Sequence, residues 1–457
     1  MKEDFRKYLE EAIGAENALV AFSAFECPPS VSVRLNPFKS CAVPQGRPVP
    51  WNRHALLLES RPVFTLDPPF HAGAYYVQDS SSMFVGHVFR NALEAMAGPL
   101  SRPLRVLDLC AAPGGKTTDL AASLREFCGD DFILVANEVM KARVGPLADN
   151  VALWGDPNVV VTSDDPRAFG PLAGYFDIIL ADVPCSGEGM FRKDEQAQAQ
   201  WSAENVALCE ARQRRITADV WPALKKDGIF IYSTCTFNRY ENDGNVAWIA
   251  ENLGADILPN DREAEGVLKT ESGYSLVPGF VEGEGQYCAS LRKTAEVEFG
   301  DARLSRPDAR SDRKTVLPQG LDTYFSEKMK FSLKGDTVTA VPEHLASEVE
   351  MLRQRLHVIS AGCAVGILKG SVLVPDADLA LSIRLSHDAF PRHEVDRMTA
   401  LKYLHRDALT LDDAPKGYVL ICHEGLPLGF VKNLGNRCNS LHPQSRRIRM
   451  NLPSAAE

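Results

Sequence analysis

Between residues 103 and 234 the chain alternates short apolar runs with amphipathic stretches. The apolar runs have the length of buried strands, and they are PLRVLDL (103–109), FILVANE (132–138), NVVVTS (158–163), FDIILADV (176–183) and GIFIYST (228–234). The stretches between them predict helices at about 116–128, 140–154 and 203–224. Continuously apolar strands separated by helices predict a parallel sheet covered on both faces. With right-handed crossovers, this is a doubly wound, Rossmann-like α/β fold.

Other patterns flank this sheet. A helix at 3–13 and an alternating strand at 30–38 predict a small N-terminal α+β unit, and 274–293 predicts a closing hairpin. Residues 295–318 are charged and aperiodic, which is typical of a linker. A helix at 345–356 and hairpins at 364–375 and 417–432 predict a C-terminal α+β region that ends in a β-rich module. The predicted domains are 1–75, 76–294, 319–390 and 391–457, with the linker at 295–318.

Composition narrows the class of protein. Of 457 residues, 45% are hydrophobic and 24% charged, which is typical of a globular protein with several domains. We find no signal peptide and no apolar run of membrane-spanning length, so we expect a cytoplasmic protein without membrane contact. The eleven cysteines are scattered, and they include neither a CxxC pair nor a Cys/His cluster with zinc spacing. This pattern favours a reducing compartment and predicts no metal site.

The net charge of −10 argues mildly against binding to nucleic acid. A binding face needs only local positive potential, however, and one segment supplies it. The stretch 432–449 contains no acidic residue and five basic ones, which are Lys432, Arg437, Arg446, Arg447 and Arg449. This stretch is either a solvated tail or part of a nucleic-acid-binding face.

The first strand ends in DLCAAPGGKTT (108–118), a glycine turn between a strand and a helix. Such a turn lets the backbone approach a ligand and directs helix N–H groups at it. A phosphate-binding loop would need GxxxxGK[ST], but Cys110 occupies the position of its first glycine. The loop, which comprises Cys110, Ala111, Ala112, Pro113, Gly114, Gly115 and Lys116, therefore predicts another type of nucleotide-like ligand.

Acidic residues follow the next two strands. Glu138 ends the second strand, where doubly wound folds bind ribose hydroxyls, and Asp164 and Asp165 follow the third, placed to meet an adenine edge. Singly, each acid would more simply be a cap or a solvated loop residue. Together with the glycine loop they describe a nucleoside cofactor without phosphates, and S-adenosylmethionine fits that description.

Two cysteines follow the fourth and fifth strands. Cys185 lies in ADVPCSGEG and Cys235 in YSTCTF. Ligands of doubly wound sheets bind beyond the carboxyl ends of the strands, so both sulfurs and the cofactor loop are predicted to converge at one edge. A single cysteine would more simply be a small buried hydrophobic residue. The paired placement favours chemistry.

Two thiols suit methyl transfer to carbon 5 of cytosine. A thiolate that adds to carbon 6 makes carbon 5 nucleophilic, and a base must then remove the C5 proton. Asp182, at the end of the fourth strand, is predicted to orient cytosine N3 or N4, or the cofactor. The motif DVPC differs from the Asn/Asp-Pro-Pro-Tyr type expected of amino-group methyltransferases, which favours carbon as the target.

With these residues in place, the chain resembles the RsmF/YebU branch of the Sun-type RNA 5-methylcytosine methyltransferases. The resemblance covers nearly the whole chain. It rests on SVRLNPF (32–38), YYVQDSSSM (75–83), DLCAAPGGKTT, DVPCSGEGMFRKD (182–194), STCTFNRYEN (233–242) and PKGYVLICHEGLPLGFVKN (415–433). The last of these is similar to the family's PUA-like RNA-binding module.

The resemblance implies a role for each matching residue. Cys235 matches the nucleophile, Cys185 the cysteine that assists product release, and Lys193 an active-site lysine. The loop 110–116 with Glu138, Asp165 and Asp182 matches the cofactor contacts; Asp165 is chosen by its spacing to Arg167 and Phe169, and Asp164 competes with it. The matches QDSSSM and RLNPF are interpreted as mainly structural, with Arg34 as a candidate RNA contact.

The implied function is S-adenosylmethionine-dependent methylation of cytosine carbon 5 in RNA, foremost 16S rRNA of the small ribosomal subunit, by a monomeric protein. Two alternatives stay open. One is methylation of transfer RNA by the same chemistry, and the other is a ribosome assembly factor that binds RNA with little turnover.

Overall fold

The computed structural model describes residues 3–42, 44–96, 102–259, 264–296 and 317–453. The predicted linker at 295–318 lies outside the described residues except at its two ends. Among the described residues, no helix is long and apolar enough to cross a membrane. The same residues contain no group of three His, Cys, Asp or Glu side chains that could hold a metal ion.

The N-terminal unit combines three helices with an antiparallel sheet in the order β2-β3-β1-β4. Its elements are α1 (Glu3–Ile13), α2 (Ala15–Phe25), β1 (Val31–Leu35), β2 (Arg47–Val49), β3 (Asn52–Leu58), α3 (Pro68–His71) and β4 (Tyr75–Val77). Helices α1 and α2 pack through Phe5 and Phe25 against Trp201 and Phe237 of the following domain. This packing places the unit beside the loops that carry the two candidate cysteines.

The central domain forms most of the largest sheet in the described structure. Its strands are β5 (Leu104–Asp108), β6 (Phe132–Asn137), β7 (Val159–Thr162), β8 (Phe176–Asp182), β9 (Leu224–Thr234), β10 (Ala255–Leu258), β11 (Leu268–Lys269), β12 (Tyr274–Leu276) and β13 (Gln286–Lys293). Its helices are α4 (Phe84–Glu94), α5 (Gly115–Cys128), α6 (Lys141–Trp154), α7 (Glu195–Gln200), α8 (Ala203–Val220) and α9 (Asp243–Leu253).

Strands β9, β8, β5, β6 and β7 lie side by side and are parallel, in that order. Antiparallel β13 pairs with β9 and continues the sheet through β12 to β11, so the hairpin predicted at 274–293 is confirmed. Helices α4, α5 and α6 cover one face, where Phe89, Leu120 and Leu147 meet Val106 and Ile178. Helices α8 and α9 cover the other face, and the predicted doubly wound α/β fold is confirmed.

The C-terminal region contains two further four-stranded sheets, β14-β15-β17-β18 and β19-β20-β21-β22. Its elements are β14 (Met329–Lys334), β15 (Thr337–Pro342), α10 (Ala346–Arg355), β16 (Val358–Ala361), β17 (Cys363–Lys369), β18 (Val372–Pro375), α11 (Ala377–Leu381), β19 (Arg392–Glu394), α12 (Arg397–His405), β20 (Gly417–His423), β21 (Leu426–Asn433) and β22 (Cys438–Ser440). Both predicted hairpins are present as β17–β18 and β20–β21.

Two elements of this region belong to the central layers. Strand β16 pairs antiparallel with β7 and forms the edge of the large sheet. Helix α10 packs Val349 and Leu352 into the same core as α8 and α9. The region predicted as a separate intermediate domain at 319–390 therefore shares its packing with the central domain.

The basic segment 432–449 is partly used for internal contacts. Arg446 donates to Asp149 of α6 at 2.9 and 3.1 Å and to Asp378 of α11 at 2.7 Å. Its side chain is only 14% exposed. Arg446 therefore joins the C-terminal module to the central domain, whereas Arg437 and Arg449 are exposed.

Candidate active site

The two predicted cysteines meet at the carboxyl edge of the sheet. Strands β8 and β9 are neighbours in register, with Asp182 opposite Ser233, and a cysteine loop follows each strand. The Sγ atoms of Cys185 and Cys235 lie 2.9 Å apart, and both residues are half-buried. A disulfide bond has an S–S distance of about 2.05 Å, so the two sulfurs are in thiol contact without a covalent bond.

The contact between the sulfurs affects the acidity of Cys185. The contact with Cys235 is the largest effect that raises the pKa of Cys185 well above its usual range, and burial adds to it. A thiol that keeps its proton can donate S–H to a neighbouring sulfur. The raised pKa therefore favours the protonated form of Cys185, whose S–H can donate to the sulfur of Cys235.

Lys116 supplies positive charge beside this pair. Its Nζ atom lies 2.9 Å from Oδ2 of Asp182 at the end of β8. Burial lowers the pKa of Lys116, but attraction to Asp182, Cys235 and Asp108 outweighs burial, so the pKa is raised overall. The ammonium group therefore stays charged next to Cys235.

Asp182 is held in place from two sides besides its ion pair. Its Oδ1 atom accepts hydrogen bonds from Ser233 Oγ at 3.0 Å and from Gln286 Nε2 at 3.1 Å. Because β8, β9 and β13 are adjacent, these partners come from the neighbouring strands. The carboxylate is fixed at the same sheet edge as the two sulfurs.

The predicted cofactor loop 110–116 turns between β5 and α5. The Ala111 N–H donates to Asn137 O at 2.8 Å, which ties the loop to the end of β6. Gly114 has φ +109°, a conformation that L residues with side chains rarely adopt, and α5 begins at the next residue. Pro113 O accepts a hydrogen bond from Asn150 Nδ2 at 2.8 Å. The loop thus presents the N-terminus of α5 to the sheet edge.

Buried carboxylate atoms beside this loop fit a nucleoside with free hydroxyls. Glu138 follows β6 and is 3% exposed. Its Oε1 atom accepts from Met140 N at 2.8 Å, whereas its Oε2 atom is buried without a hydrogen bond and lies 3.4 Å from Arg143 Nη1. Oδ1 of Asp108 is also buried without a hydrogen bond. Neither oxygen accepts a hydrogen bond from the described residues, although Glu138 Oε2 is paired with Arg143.

Both candidate acids after β7 already have protein partners. Asp165 caps a 3-10 helix by accepting from Arg167 N at 3.1 Å, and it lies 3.8 Å from Arg215 Nη1. Asp164 donates its N–H to Asn137 Oδ1 at 3.0 Å, and its Oδ2 atom accepts from His357 N at 2.8 Å. Asp165 as the adenine contact stays a prediction, and Asp164 stays its competitor.

Lys193 lies near two carboxyl groups from distant parts of the chain. Its Nζ atom is 3.8 Å from Glu284 and 4.0 Å from Asp79, a residue of the QDSSSM motif. Burial raises the pKa of both carboxyl groups, and Lys193 opposes that effect. The structure therefore places the Lys193 ammonium group near two carboxylates, and its role in the active site stays a prediction.

Sequence reasoning missed two buried glutamates that connect the cysteine loops. Glu188 accepts from the N–H groups of Phe237 and Asn238, at 2.7 and 3.1 Å, in the loop after Cys235. Glu241 accepts from the N–H of Ser186, at 3.0 Å, in the loop after Cys185. Each loop is thus held by a carboxylate from the other motif. The sequence signal that could have identified them is the acidic residue within each of the motifs SGEG and NRYEN.

Further contacts fix the spacing of the two loops. Ser186 Oγ and Thr236 Oγ1, one position after each cysteine, lie 2.9 Å apart. The Gly189 N–H donates to Cys235 O at 2.8 Å, and a Cβ atom at Gly189 would lie 2.9 Å from that oxygen. Only glycine permits this approach.

The suggestion that Arg34 contacts RNA is wrong. Its side chain is 1% exposed and donates to Gln78 Oε1 at 3.0 Å, to Gly115 O at 3.0 Å and to Thr118 Oγ1 at 2.6 Å. The guanidinium group also covers the Trp154 ring at 4.6 Å. Arg34 stabilises the first turn of α5, next to the predicted cofactor loop, so its role is structural.

Three family models match successive parts of the chain. The N-terminal domain of 16S rRNA methyltransferase RsmF matches residues 1–80. The model for 16S rRNA methyltransferase RsmB/F matches 100–292, and the methyltransferase RsmF PUA domain matches 390–448. The cofactor loop and both cysteine loops lie within the second match.

Similar curated proteins carry one description, ribosomal RNA small subunit methyltransferase F. The protein from Serratia proteamaculans (strain 568) is 30% identical over 394 residues, which cover 82% of this chain and 78% of that protein. The protein from Enterobacter sp. (strain 638) is 28% identical over 474 residues, which cover 97% and 95% of the two chains.

Solved structures share the central fold. A methyltransferase homologue from Pyrococcus horikoshii has a TM-score of 0.52 and 25% identity, and the match covers 64% of this chain and all of that one. NSun6 from Pyrococcus horikoshii, solved with SFG, has a TM-score of 0.53 and 18% identity over 65% of this chain and 99% of its own. Because NSun6 is only 18% identical to this chain, its similarity supports the fold alone.

Proposed function

The chain belongs to the RsmF family of 16S rRNA methyltransferases, and we propose that it methylates carbon 5 of a cytosine in that RNA through a covalent bond to Cys235. The observation that carries this proposal is the 2.9 Å contact between Cys185 and Cys235 at the ends of adjacent strands. A protein that only binds RNA gains nothing from two aligned thiols beside a charged lysine.

S-adenosylmethionine is the methyl donor of this proposal, and it would supply an electrophilic methyl group. The solved NSun6 contains SFG, an analogue of that donor, and belongs to the same fold. In this chain Glu138 would bind the ribose hydroxyls, which is supported by its buried Oε2 atom that accepts no hydrogen bond from the protein. The backbone of 110–116 would contact the methionine part of the cofactor. Asp165 or Asp164 would bind its adenine.

The first step assigned to the chain is attack by Cys235. The Cys235 thiolate forms a bond to carbon 6 of the cytosine, and the electron pair displaced from the C5–C6 bond makes carbon 5 nucleophilic. The Lys116 ammonium group favours the thiolate, and the Cys185 S–H bond stabilises the same sulfur. Asp182 is fixed at this edge and would hold the exocyclic amino group or N3 of the base.

The second step is release of the product. After carbon 5 has gained a methyl group, its proton must leave so that the C5–C6 double bond re-forms and the Cys235–C6 bond breaks. Once Cys235 is a thioether, the interaction that raises the pKa of Cys185 most is gone. Burial and the charge of Glu241 still raise the pKa of Cys185. Its thiol first loses its own proton to solvent, and the thiolate then takes the C5 proton and passes it to solvent.

The cysteines can be tested separately with labelled S-adenosylmethionine and unmethylated small-subunit RNA. Cys235→Ala is expected to reduce transfer to background and to form no adduct. Cys185→Ala is expected to accumulate a protein–RNA complex that survives denaturing electrophoresis, because elimination is blocked. Cys27→Ala, a change at an exposed cysteine outside the site, is the matched control.

Three results would overturn the proposal. Label at a position other than cytosine C5 would reject the chemistry, and an adduct in Cys235→Ala would reverse the two roles. Preferential labelling of transfer RNA would reassign the substrate. The cytoplasmic location stays a prediction, and a ribosomal RNA substrate would agree with it.

A further inference from the structure

A cavity of about 620 Å³ lies outside the site described above. Its walls come from the segment 61–65, from α3 and β4 of the N-terminal unit, and from the C-terminal half of α6. Ligand pockets commonly have volumes of about 300–1,000 Å³, so this one is large enough for a nucleoside. None of the steps assigned to the cysteines uses it.

Aromatic rings form much of the wall. The lining includes Phe64, Phe70, Tyr75, Tyr76 and Trp154. Phe70 and Tyr76 are the half-buried rings of this wall, whereas Phe64, Tyr75 and Trp154 are buried, so a planar group entering the cavity would meet Phe70 and Tyr76. Nucleobases stack on such surfaces, and single-stranded RNA is bound mainly in this way.

Polar groups stand at the rim and the floor. Arg61 is exposed at the rim, with its Cζ atom 5.5 Å from the centre of the Phe64 ring. The Tyr76 hydroxyl lies 3.4 Å and the Asn150 amide 2.8 Å from Pro113 O of the cofactor loop. Because these two groups already bond to Pro113 O, the polar contact that a base in the cavity would gain is Arg61, a cation near its phosphate.

The cavity also lies between the C-terminal module and the cofactor loop. Arg397 of α12 donates to Leu66 O at 2.9 Å, beside the segment 61–65. Arg446 of the same module binds Asp149, the neighbour of Asn150 in α6. An RNA strand that touches both the C-terminal module and the sheet edge would therefore pass across the cavity mouth.

We propose that this cavity binds an unpaired nucleobase of the substrate RNA, away from the target cytosine. The inference deepens the proposed function, since it names a second contact for the same RNA. A peptide of a ribosomal protein is the competing occupant. The exposed Arg61 and the aromatic faces favour RNA, because a phosphate and a planar base match both features.

Phe70 allows a test that separates stacking from packing. Phe70→Leu keeps an apolar side chain of similar reach but removes the ring, whereas Phe70→Tyr keeps the ring. The dissociation constant for an unmethylated 16S rRNA transcript is measured with the full chain at fixed salt and without methyl donor. We expect Phe70→Leu to weaken binding about 5- to 100-fold and Phe70→Tyr to bind like the unchanged protein. Phe127→Leu, a change at an exposed ring that does not line the cavity, is the control.

A second measurement locates the contact. Ultraviolet cross-linking followed by mass spectrometry is expected to find nucleotide adducts on peptides covering 61–77, and fewer of them in Phe70→Leu. Unchanged RNA affinity in Phe70→Leu would overturn the proposal and is the result expected of a peptide site. Equal weakening by the Leu and Tyr changes would also overturn it. Neither experiment measures methyl transfer. Both therefore test the cavity even if the proposed methylation of cytosine C5 is wrong.

Discussion

Glu241 shows how single residues hold the site together. It is fully buried, and its carboxylate accepts from Ser186 N at 3.0 Å and from Gln213 Nε2 at 2.7 Å. Burial raises the pKa of Glu241 to about 7, although these hydrogen bonds and one from Asn238 oppose the rise. The group that positions the Cys185 loop thus changes charge near neutral pH.

Glu241 therefore predicts a pH dependence of stability. Because its pKa in the folded protein lies above the ordinary 4.5, the folded state holds this proton more tightly than the unfolded chain. The resulting stabilisation is complete below about pH 4.5 and is lost as the pH rises through about 7. The stability of Glu241→Gln relative to the unchanged protein should therefore rise by up to about 3 kcal/mol between pH 5 and 8. Urea unfolding at several pH values measures this difference.

Glu251→Gln, a change at an exposed glutamate of α9, is the control for this experiment. Its stability relative to the unchanged protein should show no comparable trend. If both variants followed the same pH profile, Glu241 would not be the group that titrates.

At the scale of elements, β16 and α10 extend the central layers with residues from the C-terminal region. Ser360 lies opposite Val161 in the β16–β7 ladder, and α10 packs on the face of α8 and α9. His357, just before β16, donates to Asp164 at 2.8 Å. The edge strand thus supports the loop that carries the candidate adenine contacts.

A proline in this edge strand tests that support. Ser360→Pro removes a backbone N–H within the ladder and should lower the free energy of unfolding by about 1–3 kcal/mol. Hydrogen exchange of the β7 amides should accelerate, and the KM for S-adenosylmethionine should rise because the 163–165 loop loses its support. Ser360→Ala keeps the backbone donor and should behave like the unchanged protein. Unaltered protection of β7 in the proline variant would refute this role of β16.

At the scale of the whole molecule, Arg446 joins three parts of the chain. The residue belongs to the C-terminal module, and its guanidinium group bonds to Asp149 in α6 of the central domain and to Asp378 in α11. A buried arginine with two carboxylate partners fixes orientation more than it adds stability. Arg446 thus provides one of the contacts, together with that of Arg397 to Leu66 O, that set the placement of the C-terminal module.

Arg446→Met should therefore loosen the C-terminal module without altering the cysteine site. We expect the KM for RNA to rise several-fold while the KM for S-adenosylmethionine stays unchanged, together with faster proteolysis near residues 377–390. Steady-state kinetics with each substrate varied in turn checks the split. Arg449→Met, at an exposed arginine of the same segment, is the control, and an equal effect of both changes would indicate direct phosphate contacts instead.

The sequence alone determined the alternation of strands and helices, the glycine loop and the placement of both cysteine motifs at strand ends. These features depend on local periodicity and on one topological rule, that parallel strands present their carboxyl ends at a common edge. For that reason the sequence suffices to assign Cys185, Cys235, Lys116 and Asp182 to one site.

Only the tertiary structure decided how these residues meet. The contacts that decide the site join residues distant in the chain. They are the contact between the two sulfurs, the hydrogen bonds of Glu188 and Glu241 to the opposite cysteine loop, and the burial of Arg34. Strand β16 entered the central sheet for the same reason, since its edge pairing has no local sequence signal. Burial and partner choice depend on how separate elements pack, and a linear pattern does not record that packing.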